Sequence, residues 1–139
     1  METPKKKRLF VCVENSNLSQ LSEAFARIHG VGWLEAFSAG SRPSGRINPK
    51  AIDSMKQLGY DLSTHRSKSL REVEGYAPFE VVITMGCGDA CPWMPATRFV
   101  DREIPDPKNL DAEQYQKFRN YMEEKVKELV ASLKPSTHE

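Results

Sequence analysis

Phe10-Val11-Cys12-Val13-Glu14-Asn15-Ser16-Asn17-Leu18-Ser19-Gln20-Leu21-Ser22-Glu23 is the stretch on which the fold turns. An apolar run ends in a cysteine, passes through a short polar loop and enters an amphipathic helix. This order sets the Cys12 thiol where loop and helix-start N–H groups converge, a place that favours anions and favours thiolate over thiol. A cysteine at a strand end is also commonly a small buried hydrophobe. The loop after Cys12 favours the anion-facing reading, because Asn15 tolerates left-handed backbone and lets successive N–H groups turn inward. Ser19 has two readings, cap of the helix or hydroxyl partner of the thiolate, and one residue can serve both.

Outward from this stretch, strands alternate with helices. Arg8 to Val13 reads as a buried strand and Ser19 to His29 as a helix with Leu21, Ala24, Phe25 and Ile28 inward, ended by Gly30. Trp33 to Ser38 reads as a second strand, and Ala39 to Ile47 as a turn-rich loop. Asn48 caps a helix with Pro49 at its first position, Ile52, Met55 and Leu58 inside it and Gly59 as the stop. Leu70 to Tyr76 reads as a short helix, Phe79 to Met85 as the clearest strand and Arg98 to Ile104 as a weaker one. Asp111 to Leu133 is the longest helix, with Tyr115, Phe118, Met122, Val126, Leu129 and Leu133 on its core face. The expected fold class is α/β, an open four-stranded parallel sheet with helices on both faces. Right-handed crossovers bring the loops after the strands to one edge, where ligands sit. Cys12, Cys87 and Asp106 follow the first, third and fourth strands, and this topology predicts that they meet.

The composition bounds the function. A chain of 139 residues suits one domain, residues 1–139, with ends at 1–6 and 134–139 expected to fray. It is 39% hydrophobic and 28% charged, ordinary for a globular protein, and its net charge of +1 gives no electrostatic case for nucleic acid or an acidic membrane. The Lys5-Lys6-Lys7-Arg8 run reads as a solvated flank ahead of a strand. No apolar run approaches the ~20 residues of a membrane span, and Leu9 to Val13 is too short for a signal-peptide core. An odd number of cysteines, 3, argues against a secreted disulfide scaffold, so the expected compartment is the cytoplasm.

The second cluster is Met85-Gly86-Cys87-Gly88-Asp89-Ala90-Cys91-Pro92. Cys87 and Cys91 are close enough to form a disulfide if the loop permits, and Gly86 and Gly88 suit a segment that rearranges. Structural thiols and a zinc half-site are the competing readings. His29, His65 and His138 are scattered, which leaves zinc without a second ligand pair, and no metal or other cofactor is expected. In Ile104-Pro105-Asp106-Pro107 the Asp-Pro step is either a turn or a carboxyl placed near an oxyanion, where general acid catalysis contributes roughly 10²–10⁴-fold.

Cys12, Asn15 and Ser19 place this loop in a pattern that resembles the phosphate-binding loop C-x-x-x-x-x-R-S of low-molecular-weight protein tyrosine phosphatases and thioredoxin-coupled arsenate reductases. Phe37-Ser38-Ala39-Gly40, Asn48-Pro49-Lys50-Ala51-Ile52, Leu58-Gly59-Tyr60 and Ser63-Thr64-His65-Arg66-Ser67 extend the resemblance from Arg8 to Leu133. It implies a low-molecular-weight phosphatase-like fold and an anion loop of Val13, Glu14, Asn15, Ser16, Asn17, Leu18 and Ser19. The Cys87–Cys91 region resembles the reductases more than the phosphatases. There the implied relay is Cys12 attacking the arsenic centre, Cys87 displacing arsenite to form a disulfide and Cys91 taking that disulfide over. A thioredoxin- or glutaredoxin-like partner then reduces the pair. The resemblance makes Asp106 the general acid, and the implied ligand is a small oxyanion: arsenate, phosphate or sulfate. Lys108 and Asn109 follow where family phosphatases carry aromatics that line a phosphotyrosine cleft.

The pattern breaks at Leu18, which stands where the family has its clamp arginine. Loss of such a bidentate donor costs at least about 10²–10³-fold in rate. Glu14 adds negative charge to the loop, and Asn17 stands in place of a cysteine common there. Two readings follow. One is a thiol-dependent arsenate reductase with a weakened loop, helped by Arg42, Arg46 or Arg66 swinging in. The other is a catalytically impaired relative acting as a binding, regulatory or redox-sensing module. A tyrosine phosphatase ranks last.

Overall fold

A computed structural model of the chain describes residues 6–30, 34–85, 96–102, 104, 107 and 109–133. Strand β1 (Lys6–Cys12) leads through a loop into helix α1 (Leu18–His29), followed by β2 (Leu34–Gly40), α2 (Pro49–Lys56), α3 (Leu70–Val73), β3 (Phe79–Met85), β4 (Ala96–Arg102) and α4 (Ala112–Leu133). The sheet is four-stranded and parallel throughout, in the order β2-β1-β3-β4. The expected α/β architecture is therefore present. Chain order runs outward in both directions from β1, so the switch point lies between the carboxyl ends of β1 and β3, at Cys12 and Met85.

Pleating divides the core. Phe10 and Cys12 face the larger cluster with Leu21, Phe25, Ile83, Met122 and Val126, so α1 and α4 cover that face. Leu9 and Val11 face the other side with Leu70, Val73 and Val82, beneath α3. Helix α2 docks on α4, where the buried Arg119 donates through Nη1 to the Ser54 carbonyl at 2.8 Å.

The helix ends follow from local chemistry. Asn48 Oδ1 accepts from Lys50 N at 2.8 Å with Pro49 at the first helical position, and Gly59 takes φ 82° after the helix ends. Ser69 and Glu72 close a reciprocal capping box on α3. Asp111 and Gln114 exchange N–H bonds of 2.8 and 3.1 Å at the start of α4.

Several boundaries and facings differ from expectation. Strand β1 runs Lys6–Cys12 and β4 Ala96–Arg102, each shifted toward the N-terminus, and β2 extends to Gly40. Trp33 lies outside the described residues. Of the basic run, Lys5 lies outside the described residues, Lys6 and Lys7 stay partly exposed, and Arg8 departs from the expected solvated flank. Arg8 is buried within β1 and meets Glu80 at 3.2 Å, Lys6 meets the same carboxylate at 3.1 Å, and Lys7 donates to the Tyr76 carbonyl. Lys6 also pairs with Leu34 in the sheet, whereas the other ends expected to fray, 1–5 and 134–139, fall outside the described residues. Leu58 is 44% exposed because α2 stops before it, and Ile28 is 40% exposed near the end of α1. No helix among the described residues is long and apolar enough to cross a membrane.

Candidate active site

The Cys12 loop is held open by its carbonyls. Every carbonyl from Cys12 to Asn17 accepts from a donor outside the loop. Ser41 N reaches Cys12 O at 3.1 Å, Arg42 N reaches Val13 O at 2.8 Å and Ser44 N reaches Glu14 O at 3.0 Å. Gln20 Nε2 reaches Asn15 O at 3.1 Å, Asn48 N reaches Ser16 O at 3.1 Å and Leu21 N reaches Asn17 O at 2.9 Å. In a trans peptide the N–H of the next residue points opposite its carbonyl. The amides of Val13, Glu14, Asn15, Ser16, Asn17 and Leu18 are thereby turned away from those outer donors, and Asn15 N meets Cys12 Sγ at 3.3 Å. Asn15 has φ 54°, the left-handed geometry that the ring of amides needs.

Cys12 is a free thiol, 6% exposed. Its Sγ lies 2.9 Å from Ser19 Oγ, and Asn15 Nδ2 donates to that same oxygen at 2.7 Å. Of the two readings of Ser19, the thiol partner is the one observed. The helix begins at Leu18, so Asn17 occupies the cap position and Ser19 lies inside the first turn. Asn17 makes no side-chain cap bond. Its Oδ1 instead accepts from Tyr115 Oη at 2.7 Å, tying the loop to α4.

The loop opens onto a cleft of about 240 Å³ lined by Cys12, Val13, Glu14, Ser16, Asn17, Leu18, Met85 and Ile104. The carboxyl end of β3 and Ile104 thus border the thiol. Cys87, Cys91 and Asp106 themselves lie outside the described residues. Leu18 is 7% exposed and belongs to the larger core cluster while also lining the cleft. Among the described residues the cleft lining includes no arginine. Arg66 is engaged elsewhere, with Glu72 at 2.9 Å, while Arg42 and Arg46 are exposed.

Behind the loop lies a buried polar network that sequence reading assigned no role. Glu23 is 4% exposed and accepts from Ser38 Oγ at 2.5 Å and Arg27 Nε at 2.8 Å, with Lys68 Nζ at 3.8 Å and His65 Nδ1 at 3.9 Å. Burial pushes both His65 and Lys68 below their ordinary values, only partly opposed by the Glu23 carboxylate. Gln20 and Glu23 sit at helical positions that resemble a solvent face, so composition alone conceals them. The signal available was the quoted run through His65, which supplies the partners.

Residues 7–138 match the low molecular weight phosphotyrosine protein phosphatase family. The chain belongs to that family. Among its relatives it is 34% identical to a glutaredoxin arsenate reductase of Synechocystis sp. over 131 residues, covering 92% of this chain and 98% of the relative. It is likewise 34% identical to arsenate reductase 2 of Staphylococcus saprophyticus, covering 89% of this chain and 95% of the relative. Among solved structures, an arsenate reductase in the phosphate binding state superposes with TM-score 0.81 at 32% identity, covering 93% of this chain and 99% of the other. The phosphatase-like fold is present as expected, and these relatives are arsenate reductases, the branch that the Cys87–Cys91 region resembles.

Proposed function

We propose that this chain is a thiol-dependent arsenate reductase whose nucleophile is Cys12. The observation that carries the reading is the Cys12 loop: outward-bonded carbonyls, inward amides and a thiol held by Asn15 N and Ser19 Oγ. Arsenate docks against the amides from Val13 to Leu18, which stabilise negative oxygens without a counter-charge. The Cys12 thiolate attacks arsenic, and an arsenate oxygen, protonated by Asp106, leaves as water. Cys87 then attacks Cys12 Sγ, the sulfur–arsenic electron pair passes to arsenic, and arsenite leaves with a Cys12–Cys87 disulfide behind it. Cys91 attacks Cys87, freeing Cys12 as thiolate, and a thioredoxin- or glutaredoxin-like dithiol returns two electrons to the Cys87–Cys91 disulfide. Such a relay operates where thiols stay reduced, which supports the cytoplasm. The reductase relatives and the phosphate-binding-state structure support the oxyanion, and the glutaredoxin in one relative's name supports a dithiol reductant.

Leu18 supports a second reading, an oxyanion-binding or redox-sensing module without turnover. Its alkyl side chain is packed in the core, and no arginine among the described residues replaces the clamp. Arsenate-dependent oxidation of thioredoxin or glutaredoxin separates the two. The reductase reading expects turnover that disappears in Cys12→Ser and in Cys87→Ser. Phosphate binding with no turnover by the wild-type chain would assign it to the second reading.

A further inference from the structure

Asn17 holds the cap position of α1 and does not cap it. An asparagine there ordinarily turns its side-chain oxygen to an N–H of the first helical turn. In this chain the oxygen is engaged from another element: Tyr115 Oη, on α4, donates to Asn17 Oδ1 at 2.7 Å. Both residues are buried, Asn17 to 7% and Tyr115 to 1% exposure. A side-chain amide carries its acceptor and its donors on one carbon, so a hydroxyl fixed on Oδ1 fixes the direction of Nδ2 as well. Among the described residues Nδ2 has no hydrogen-bond partner, and it is not sealed from solvent. The opening that Asn17 borders is the Cys12 cleft. A donor on a side chain more than nine-tenths buried therefore faces the space where the loop amides and the thiol converge. Buried polar groups are ordinarily paired, and an acceptor in the cleft would complete this one.

We propose that Asn17 is an oxyanion-binding residue of the Cys12 cleft and that Tyr115 positions it. Asn17 Nδ2 donates to one oxygen of a tetrahedral oxyanion, phosphate or arsenate, held by the loop amides. Leu18, the next residue, packs into the core cluster and brings no donor to the cleft, so the side-chain donor comes from its neighbour. A neutral N–H is a weaker partner for an anion than a bidentate guanidinium. Its advantage is that the Tyr115 bond aims it beforehand, so little side-chain ordering is left for the binding step. Because the Asn17 oxygen is turned to α4, the first-turn amides of α1 stay without a side-chain cap from it and add to the same positive helix start. The inference rests on the Cys12 cleft being the oxyanion site of the proposed reductase.

The test is calorimetric titration of the full chain with inorganic phosphate, with thermal melts beside it. A hydrogen bond to a charged partner corresponds to roughly 10- to 100-fold in affinity. Asn17→Asp keeps the volume and the acceptor for Tyr115 but replaces the donor with a carboxylate. It should melt like wild type and bind phosphate at least about 100-fold more weakly. Asn17→Ala combined with Tyr115→Phe removes both ends of the 2.7 Å bond without adding charge and should lose at least about tenfold. Tyr115→Phe alone keeps Nδ2 but releases its aim, and should fall between that double variant and wild type. A purely structural Asn17 predicts instead that Asn17→Asp binds like wild type, and that result overturns the proposal. A folded double variant within twofold of wild type overturns it as well. A wild-type chain that binds no phosphate overturns the oxyanion site itself, and the proposal with it. That failure is distinct, because it appears before any variant is made.

Discussion

Replacing Leu18 by arginine tests whether the loop is still shaped for an oxyanion. Leu18 starts α1, is 7% exposed and touches both the core cluster and the cleft. Burying a leucine contributes roughly 1.5–3 kcal/mol, and the arginine stem retains part of that contact, so Leu18→Arg should lose about 1–2 kcal/mol of stability. A melting point lower by roughly 5 °C is the expected sign. Against this, a guanidinium at the helix start supplies a bidentate, charge-assisted pair to an anion held by the loop amides, about 3 kcal/mol or roughly 100-fold in affinity. Calorimetry with phosphate, run beside thermal melts, measures both sides. Leu18→Lys carries the charge without the fork and should gain only about tenfold, while Leu18→Met keeps volume and gains nothing. A folded Leu18→Arg chain that binds phosphate within twofold of wild type would refute the reasoning. The amides would then not form a cradle that a clamp can complete.

Three further outcomes are expected. A Cβ on Gly40 would lie 2.5 Å from Val13 O and 3.0 Å from Asn15 N, both backbone atoms, so Gly40→Ala must displace the loop. Phosphate affinity should fall at least about tenfold with a stability loss of roughly 1–3 kcal/mol in urea, and a wild-type titration would contradict this. The His65 imidazole is held below its usual 6.5 by burial, so between that lowered value and 6.5 the unfolded chain binds more protons. Its contribution is complete above about pH 6.5 and is lost as pH falls through the folded value. His65→Gln should flatten that part of the urea midpoint profile, and an unaltered slope would exclude it. Glu23→Ala leaves the mostly buried Lys68 cation and the buried Ser38 hydroxyl without their carboxylate and should cost about 2 kcal/mol, whereas a loss under about 1 kcal/mol would show that the network is solvated in practice.

How much the sequence disclosed depends on period and neighbourhood. The alternation of strand and helix, the Asn48-Pro49 start of α2 and the Phe79–Met85 strand were legible because each is a local preference that tertiary packing reinforces. Cys12 and Asn15 were legible for the same reason, since a left-handed residue in a loop before a helix is a local feature. Arg8 was not, because its burial depends on Glu80 from a strand far along the chain. Ser19 was half legible. Its hydroxyl fits a cap equally well until α1 is seen to begin at Leu18 and Asn17 to be taken by Tyr115. Gln20 and Glu23 were hidden because polar residues on a helix read as solvated, and His65, visible only within a resembling run, gave no sign that it meets them. Only the contacts between α1, β2 and the segment after α2 bury them.

The central claim is that loop amides and one sulfur share an anion site. A crystal structure of the chain grown with arsenate or sulfate tests it most directly. The account predicts one tetrahedral oxyanion in the cleft, its oxygens within hydrogen-bond distance of the amides between Val13 and Leu18 and its centre facing Cys12 Sγ. An occupied anion elsewhere with the Cys12 cleft filled only by solvent would contradict it.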